Sequence, residues 1–134
     1  MEFVQQNIVW VTLAAVSGFM LLLSFLRDGG PSVTPSQATL LLNREDAVVV
    51  DVRESQEWSA GHIPQSRHIA LGQFDQRIDE LEKFKSRPIV VVCQSGNRSA
   101  QACQKLRQAG FAKVYNLSGG VRAWADASLP LTTK

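Results

Sequence analysis

Several things are missing from this chain, and each absence narrows what it does. Among its 134 residues there are only two cysteines and two histidines. No Cys-x-x-Cys or His-x-x-x-His spacing occurs, so no metal site is expected. The net charge is only +2, and acids and bases are interspersed. With no basic block and no alternation of aromatic and basic residues, nothing points to nucleic acid. No internal repeat is evident, and the length fits one domain. One stretch lacks charge altogether: residues 8–26 (IVWVTLAAVSGFMLLLSFL). A helix there spans about 28 Å at 1.5 Å per residue, close to a bilayer's hydrocarbon core. Trp10 lies near one end, where an interfacial indole would sit.

A cleavable signal peptide fits this run poorly. A signal peptide has a basic leading segment, but Glu2 stands there with no Lys or Arg, and Phe25-Leu26-Arg27 makes a poor cleavage site. A domain this small has no room to bury an all-apolar helix on every side. The expectation is a single transmembrane anchor in residues 1–27, with membrane contact from Ile8 to Leu26, a linker at 28–33 and a domain at 34–134. Arg27 and every other Lys and Arg lie on the carboxyl side of the run. The positive-inside rule then puts the domain in the cytoplasm. Two thiols, one of them needed free, suit that reducing compartment. Ser17-Gly18 is a weak hint of helix pairing.

Beyond the linker, helical and strand-like stretches alternate. Thr34-Pro35 has the form of a helix start, with Thr as N-cap and Pro in the first turn. Leu40, Leu41 and Leu42 ride on that helix. Residues 47–52 (AVVVDV) and 88–92 (PIVVV) are continuous apolar runs, typical of central strands covered on both faces. A short helix is expected at 54–60, a brief strand at 66–70, and a helix at 73–84 with Phe74, Ile78 and Leu81 on one side. A helix at 100–109 stops at Gly110, a strand follows at 114–117, and Gly119-Gly120 opens a last helix carrying Trp124. The class is therefore α/β with a mainly parallel central sheet. In such sheets function gathers beyond the carboxyl ends of the strands.

At one such end stands CQSGNRS, Cys93 to Ser99. A loop of small residues between strand and helix can curl its N–H groups around a sulfur while the helix points its positive end at it. Gly96 permits a left-handed turn. Arg98 adds a fixed positive charge. This microenvironment makes Cys93 a candidate nucleophile. Cys103 shares a helical stripe with Ala102, Leu106 and Ala109 and is expected to pack in the core. Sequence leaves open a Cys93–Cys103 disulfide, which would remove the nucleophile.

Three patches stand in order: DVRESQEWSAGHIPQSRHI from Asp51, CQSGNRSA from Cys93, and NLSGGVRAW from Asn116. Together they resemble the rhodanese family of sulfurtransferases, over most of the chain from Thr34 onward. With the apolar run, the chain is similar to bacterial inner-membrane, single-domain rhodaneses. The resemblance implies a rhodanese-like α/β sandwich and double-displacement chemistry without a cofactor. Cys93 would take the outer sulfur of a donor such as thiosulfate, hold it as a persulfide, and pass it to a thiol or cyanide. The N–H groups of Gln94, Ser95, Gly96, Asn97 and Arg98 would surround that persulfide. Arg98 would stabilise the thiolate and receive anionic donors, and Ser99 would cap the helix or hydrogen-bond into the loop.

Asp51 and Arg53 are expected in supporting roles, Asp51 bonding to the loop and Arg53 pairing with Glu57. His62, in the turn Gly61-His62-Ile63-Pro64, and His68 are expected to be structural, and Trp58 and Trp124 to be core or rim aromatics. Phosphatases built on a related fold have a loop one residue longer, usually opening with His-Cys. Here Val92 precedes the cysteine and only four residues separate Cys93 from Arg98. Arsenate reduction would want a second, exposed resolving cysteine, and none is visible. A different class of function also fits the sequence: a membrane-tethered interaction or targeting module that serves a membrane protein partner, with little catalysis.

Overall fold

The structure, a computed structural model, describes the backbone of residues 2–27 and 31–134 and the side chains of 7–23 and 31–134. The expected linker residues Asp28, Gly29 and Gly30 lie outside the described residues. Helix α1 (Glu2–Arg27) is continuous and contacts the remainder of the chain at α5. Its described large apolar side chains face outward all round, from Leu23 at 42% exposed to Leu21 at 72%. Among the described residues no helix is long and apolar enough to cross a membrane. The side chains of Ser24, Phe25 and Leu26, which complete the apolar run, lie outside them.

The domain proper holds β1 (Ser32–Val33), α2 (Pro35–Arg44), β2 (Val48–Asp51), α3 (Ser55–Ala60), β3 (Arg67–His68), α4 (Phe74–Arg77), β4 (Ile89–Val92), α5 (Asn97–Gln108), β5 (Val114–Leu117) and α6 (Gly120–Asp126). The five strands form one sheet in the order β1-β5-β4-β2-β3, and every pair is parallel. All carboxyl ends therefore share one edge. The chain leaves β2 to β3 on one side and returns to β4 on the other, so a crevice opens between the ends of β2 and β4. Cys93 follows β4 directly. Asp51 ends β2, level with Val92, and Asn116 in β5 is level with Val91.

The apolar runs are covered on both faces, and the two-residue strand period divides them. Val48, Val50, Ile89, Val91 and Cys93 join α5, Phe74 and Leu81 on one side. Ala47, Val49, Val90 and Val92 join α2 and Trp124 on the other. Thr34 caps α2 with the reciprocal bonds of a capping box: Gln37 N–H donates to Thr34 Oγ1 at 3.2 Å and Thr34 N–H donates to Gln37 Oε1 at 2.9 Å.

Four expectations need correction. Ser32 and Val33, taken as linker, form β1 against Asn116 and Leu117; a two-residue edge strand has no pattern to betray it. Residues 73–84 are not one helix. A single α turn at α4 passes into a 3-10 helix, Ile78–Phe84, whose three residues per turn bring Ile78, Leu81 and Phe84 to one side. Helix α5 begins at Asn97 rather than at 100, because its first turn is part of the cysteine loop. Ala109 is exposed beyond the end of α5, while Ala102, Cys103, Leu106 and Phe111 are buried.

Leu106 is fully buried on the α5 face. Leu106→Ala should lower unfolding stability by about 2–5 kcal/mol, read from denaturant unfolding followed by tryptophan fluorescence.

Candidate active site

The sulfur of Cys93 is nearly out of water, with the residue 1% exposed. Gly96, the N-cap of α5, turns left-handed at φ 107°, and its N–H donates to Sγ at 2.9 Å. Ser99 Oγ lies 3.3 Å from Sγ. Burial alone would push the thiol up. Hydrogen bonds from the Ser99 hydroxyl and from the N–H groups of Ser99, Gly96 and Ser95 outweigh it, and the thiol sits below its ordinary value. Cys103 has burial without such donors and is pushed up to about 12. Both cysteines are free.

Ser99 bonds into the loop and does not cap α5, where it is the third helical residue. Its hydroxyl also reaches Gly96 O at 3.1 Å and Asn116 Oδ1. Asn116 Nδ2 donates to the same Gly96 carbonyl at 3.0 Å. The protonated thiol can thus donate to Ser99 while Ser99 donates to Asn116. Once the proton leaves, the Ser99 hydroxyl turns toward the sulfur. Asn116 enters the site only here; in sequence it was one letter of the third patch. The signal that could have found it is a polar residue inside the apolar strand 114–117, buried and fully partnered.

The amino end of α6 pins the loop from behind. Val121 N–H donates to Cys93 O at 2.8 Å and Arg122 N–H to Gln94 O at 3.2 Å. A Cβ on Gly120 would stand 2.3 Å from Cys93 O, and the residue has φ +62°. Gly120 is therefore needed for the loop to close onto α6.

The supporting charges are arranged differently from expectation. Arg53 pairs with Asp51, not Glu57: Nε lies 3.1 and 3.0 Å from the two carboxylate oxygens, and the residues are 3% and 0% exposed. Asp51 makes no bond to the loop. It holds Arg53, and Arg53 reaches outward to Gln94 Oε1 at 3.3 Å and Gly61 O at 2.7 Å. A short carboxylate at the end of β2 reaches the residue two positions on but not across to β4. Glu57 instead takes Arg98 in a two-pronged pair at 2.7 and 2.9 Å, which holds its carboxyl down at about 2. Arg98 therefore stands beside the loop with its charge already matched.

Gln94, Ser95 and Asn97 are exposed on the outer side of the loop. Of the five N–H groups from Gln94 to Arg98, those of Ser95 and Gly96 act on Sγ, that of Gly96 at 2.9 Å. An open depression beside the loop is lined by Arg53, Glu57, Gln94 and Arg122. A more enclosed hollow of about 390 Å³ lies away from the cysteine, between α2 and Trp124, and holds no residue of the loop. His62 is buried with its ring nitrogens 2.9 and 3.2 Å from the carbonyls of Trp58 and Lys134, and it stacks on Trp58. His68 Nε2 lies 2.7 Å from Arg53 O. Both are scaffold. Among the described residues no three His, Cys, Asp or Glu side chains gather as a metal ion would need.

The rhodanese-like domain model matches residues 34–127. The chain belongs to the rhodanese-like family. This rhodanese-like chain is 37% identical over 136 residues to the uncharacterized protein YibN of Escherichia coli (strain K12), covering 98% of this chain and 94% of that protein. It is 37% identical over 95 residues to the thiosulfate sulfurtransferase GlpE of Pseudoalteromonas translucida (strain TAC 125), over 71% of this chain and 89% of that one. Among solved structures, a rhodanese-related protein from Thermoplasma volcanium matches with TM-score 0.68 at 30% identity, over 78% of this chain and 99% of that one.

Because the thiol is held below its ordinary value, Cys93 alkylation should stay fast as pH falls until that lowered value is passed. Ser99→Ala removes the hydroxyl donor while burial remains, so the midpoint should move up and the rate at neutral pH should fall about tenfold, a shift of roughly one pH unit. Iodoacetamide rates between mildly acidic and alkaline pH, read by intact mass, check this; Cys103 should stay unlabelled. Gly120→Ala should cost the loop its geometry and slow Cys93 alkylation at least about tenfold, with a strain penalty of about 1–3 kcal/mol in unfolding.

Proposed function

We propose that this chain is a sulfurtransferase that carries sulfane sulfur on Cys93. The observation that carries the reading is the buried cysteine sulfur held by the Gly96 N–H and the Ser99 hydroxyl, with its thiol lowered. Relatives named as thiosulfate sulfurtransferases support the same chemistry. The Cys93 thiolate attacks the outer sulfur of thiosulfate. A sulfur–sulfur bond forms to Cys93, the bond to the inner sulfur breaks, and sulfite departs with the electron pair. An acceptor thiolate or cyanide then attacks the outer sulfur of the persulfide, and Cys93 leaves again as thiolate. The loop N–H groups from Gln94 to Arg98 act as preorganised dipoles for the persulfide anion. Arg98, locked to Glu57, stiffens the loop and lends it a screened charge. A phosphate would meet no unmatched guanidinium at that position, which speaks against phosphatase chemistry.

We also infer that α1 anchors the protein in a membrane, with the domain on the cytoplasmic side of a bacterial inner membrane. The uncharged run 8–26 supports this, as does the outward exposure of its described apolar side chains, which the domain leaves uncovered. Orientation follows from Arg27 and the bases beyond it. The same tether favours a second reading, in which a rhodanese-like module is held near a membrane partner and its cysteine chemistry is secondary.

Incubation with thiosulfate should add one sulfur atom to the intact mass, lost on adding cyanide or a reductant. Cys93→Ser should show neither the gain nor turnover. A folded protein with free Cys93 that takes no sulfur from thiosulfate or a persulfide would favour the tethered module. Full-length chain should float with lipid vesicles in a density gradient and resist alkaline carbonate, whereas a chain starting at Pro31 should stay at the bottom.

A further inference from the structure

The inference begins from the membrane-anchor reading above and concerns which edge of the domain faces the bilayer. All strands are parallel, so their amino ends share one edge and the Cys93 loop lies at the other. Helix α1 ends at Arg27, and Pro31 leads into the amino end of β1, where its carbonyl already accepts Asn116 N–H at 3.1 Å. Four Cα–Cα steps of at most about 3.8 Å separate Arg27 from Pro31, a reach of roughly 15 Å however the chain runs. Ser32 lies level with Asn116, inside the sheet and not at its amino edge, so the tether keeps the domain against the headgroups but lets either edge reach them.

Charge distinguishes the two edges. Helices α2 and α5 run against the strands and end at this edge, with Arg44 in the last turn of α2 and Arg107 in that of α5. The segments entering β4 and β5 add Lys83, Lys85, Arg87 and Lys113, against the acids Glu45, Asp46 and Glu82. Arg87 pairs with Asp46 at 3.2 Å and Lys85 with Glu82 at 2.9 Å, and Arg107 donates to Val114 O. Among the described residues of this edge, Arg44, Lys83 and Lys113 are exposed bases that make no ion pair, against one such acid, Glu45. At the opposite edge Arg53 and Arg98 are closed by Asp51 and Glu57, exposed Arg122 shares its depression with Asp126, and Glu54 is exposed.

We propose that the amino edge of the sheet docks on anionic phospholipid headgroups, with Arg44 and Lys113 supplying unmatched charge. Exposed basic residues within a tether's reach of the surface are drawn to it. The consequence is an orientation. Cys93 lies about five residues' rise, roughly 16 Å, beyond that edge. Its loop faces away from the bilayer, so donor and acceptor meet it from the aqueous phase rather than from within the membrane.

The test uses full-length chain reconstituted in vesicles of about 30% phosphatidylglycerol in phosphatidylcholine, or of phosphatidylcholine alone, each with a nickel-chelating lipid. A single nitroxide is placed at Ala112→Cys, beside Lys113, or at Ser118→Cys, past the carboxyl end of β5, in a Cys93→Ser, Cys103→Ala background. In the anionic vesicles the label at 112 should relax at least about threefold faster than that at 118. The difference should collapse in phosphatidylcholine, in about 0.5 M salt, and in Arg44→Glu/Lys113→Glu. Equal relaxation at the two positions in chains that float with the vesicles overturns the docking and leaves the anchor standing, as does a difference indifferent to lipid charge. Chains that fail to float overturn both. If the labelled chains do not fold, amide exchange on the unaltered chain decides. Residues 110–114 should exchange at least about threefold slower in anionic than in neutral bilayers while 94–98 are unchanged, and equal rates at 110–114 overturn the proposal.

Discussion

A thiol that must become an anion while nearly buried is the constraint on which this architecture turns. Desolvation opposes the thiolate, and Arg98, the cation of the loop itself, is already matched by Glu57. The anion has to be held by dipoles, and dipoles stabilise only when fixed in direction. That requirement explains the surroundings of Cys93. Gly96 takes a left-handed turn so that its N–H meets the sulfur. Helix α5 starts inside the loop, Ser99 points inward, and Asn116 holds both Ser99 and the Gly96 carbonyl. Among the described residues no buried side-chain nitrogen or oxygen lacks a partner.

The charged residues around the loop serve this arrangement at one remove. Asp51 and Arg53 are almost wholly buried, and such a pair is maintained only when nearly every donor and acceptor is used. Arg53 spends the remainder of its guanidinium on Gln94 and Gly61, tying β2, the turn after α3 and the cysteine loop together. Glu57 and Arg98 do the same from the outside. Two arginines beside the loop are thereby consumed in holding the scaffold. The mouth of the site is left polar but nearly charge-matched.

Much of the fold was legible in residues. Continuous apolar runs at 47–52 and 88–92 marked doubly covered strands, and Thr34-Pro35 marked a helix start, because burial and capping act over a few neighbours. The strand 114–117 was placed without error. The two-residue β1 was not legible, since an edge strand this short has no period. The 3-10 stretch after α4 was not either, because Ile78, Leu81 and Phe84 suit an α-helix nearly as well until packing selects the tighter turn.

The site divides in the same way. Sequence by itself determined the candidate cysteine, the glycine turn and the small residues of the loop, because these are contiguous from Cys93 to Ser99 and their conformational demands are local. It also determined an apolar segment too large for so small a domain to bury. Only the tertiary structure decided the partners: Arg53 to Asp51, Arg98 to Glu57, Ser99 to Asn116, and Gly120 against the Cys93 carbonyl. Each of these joins elements separated by a strand crossing or set by a side chain's reach. Local sequence carries no record of such distances, which arise only when the parallel sheet brings the ends of β2, β4 and β5 to one edge.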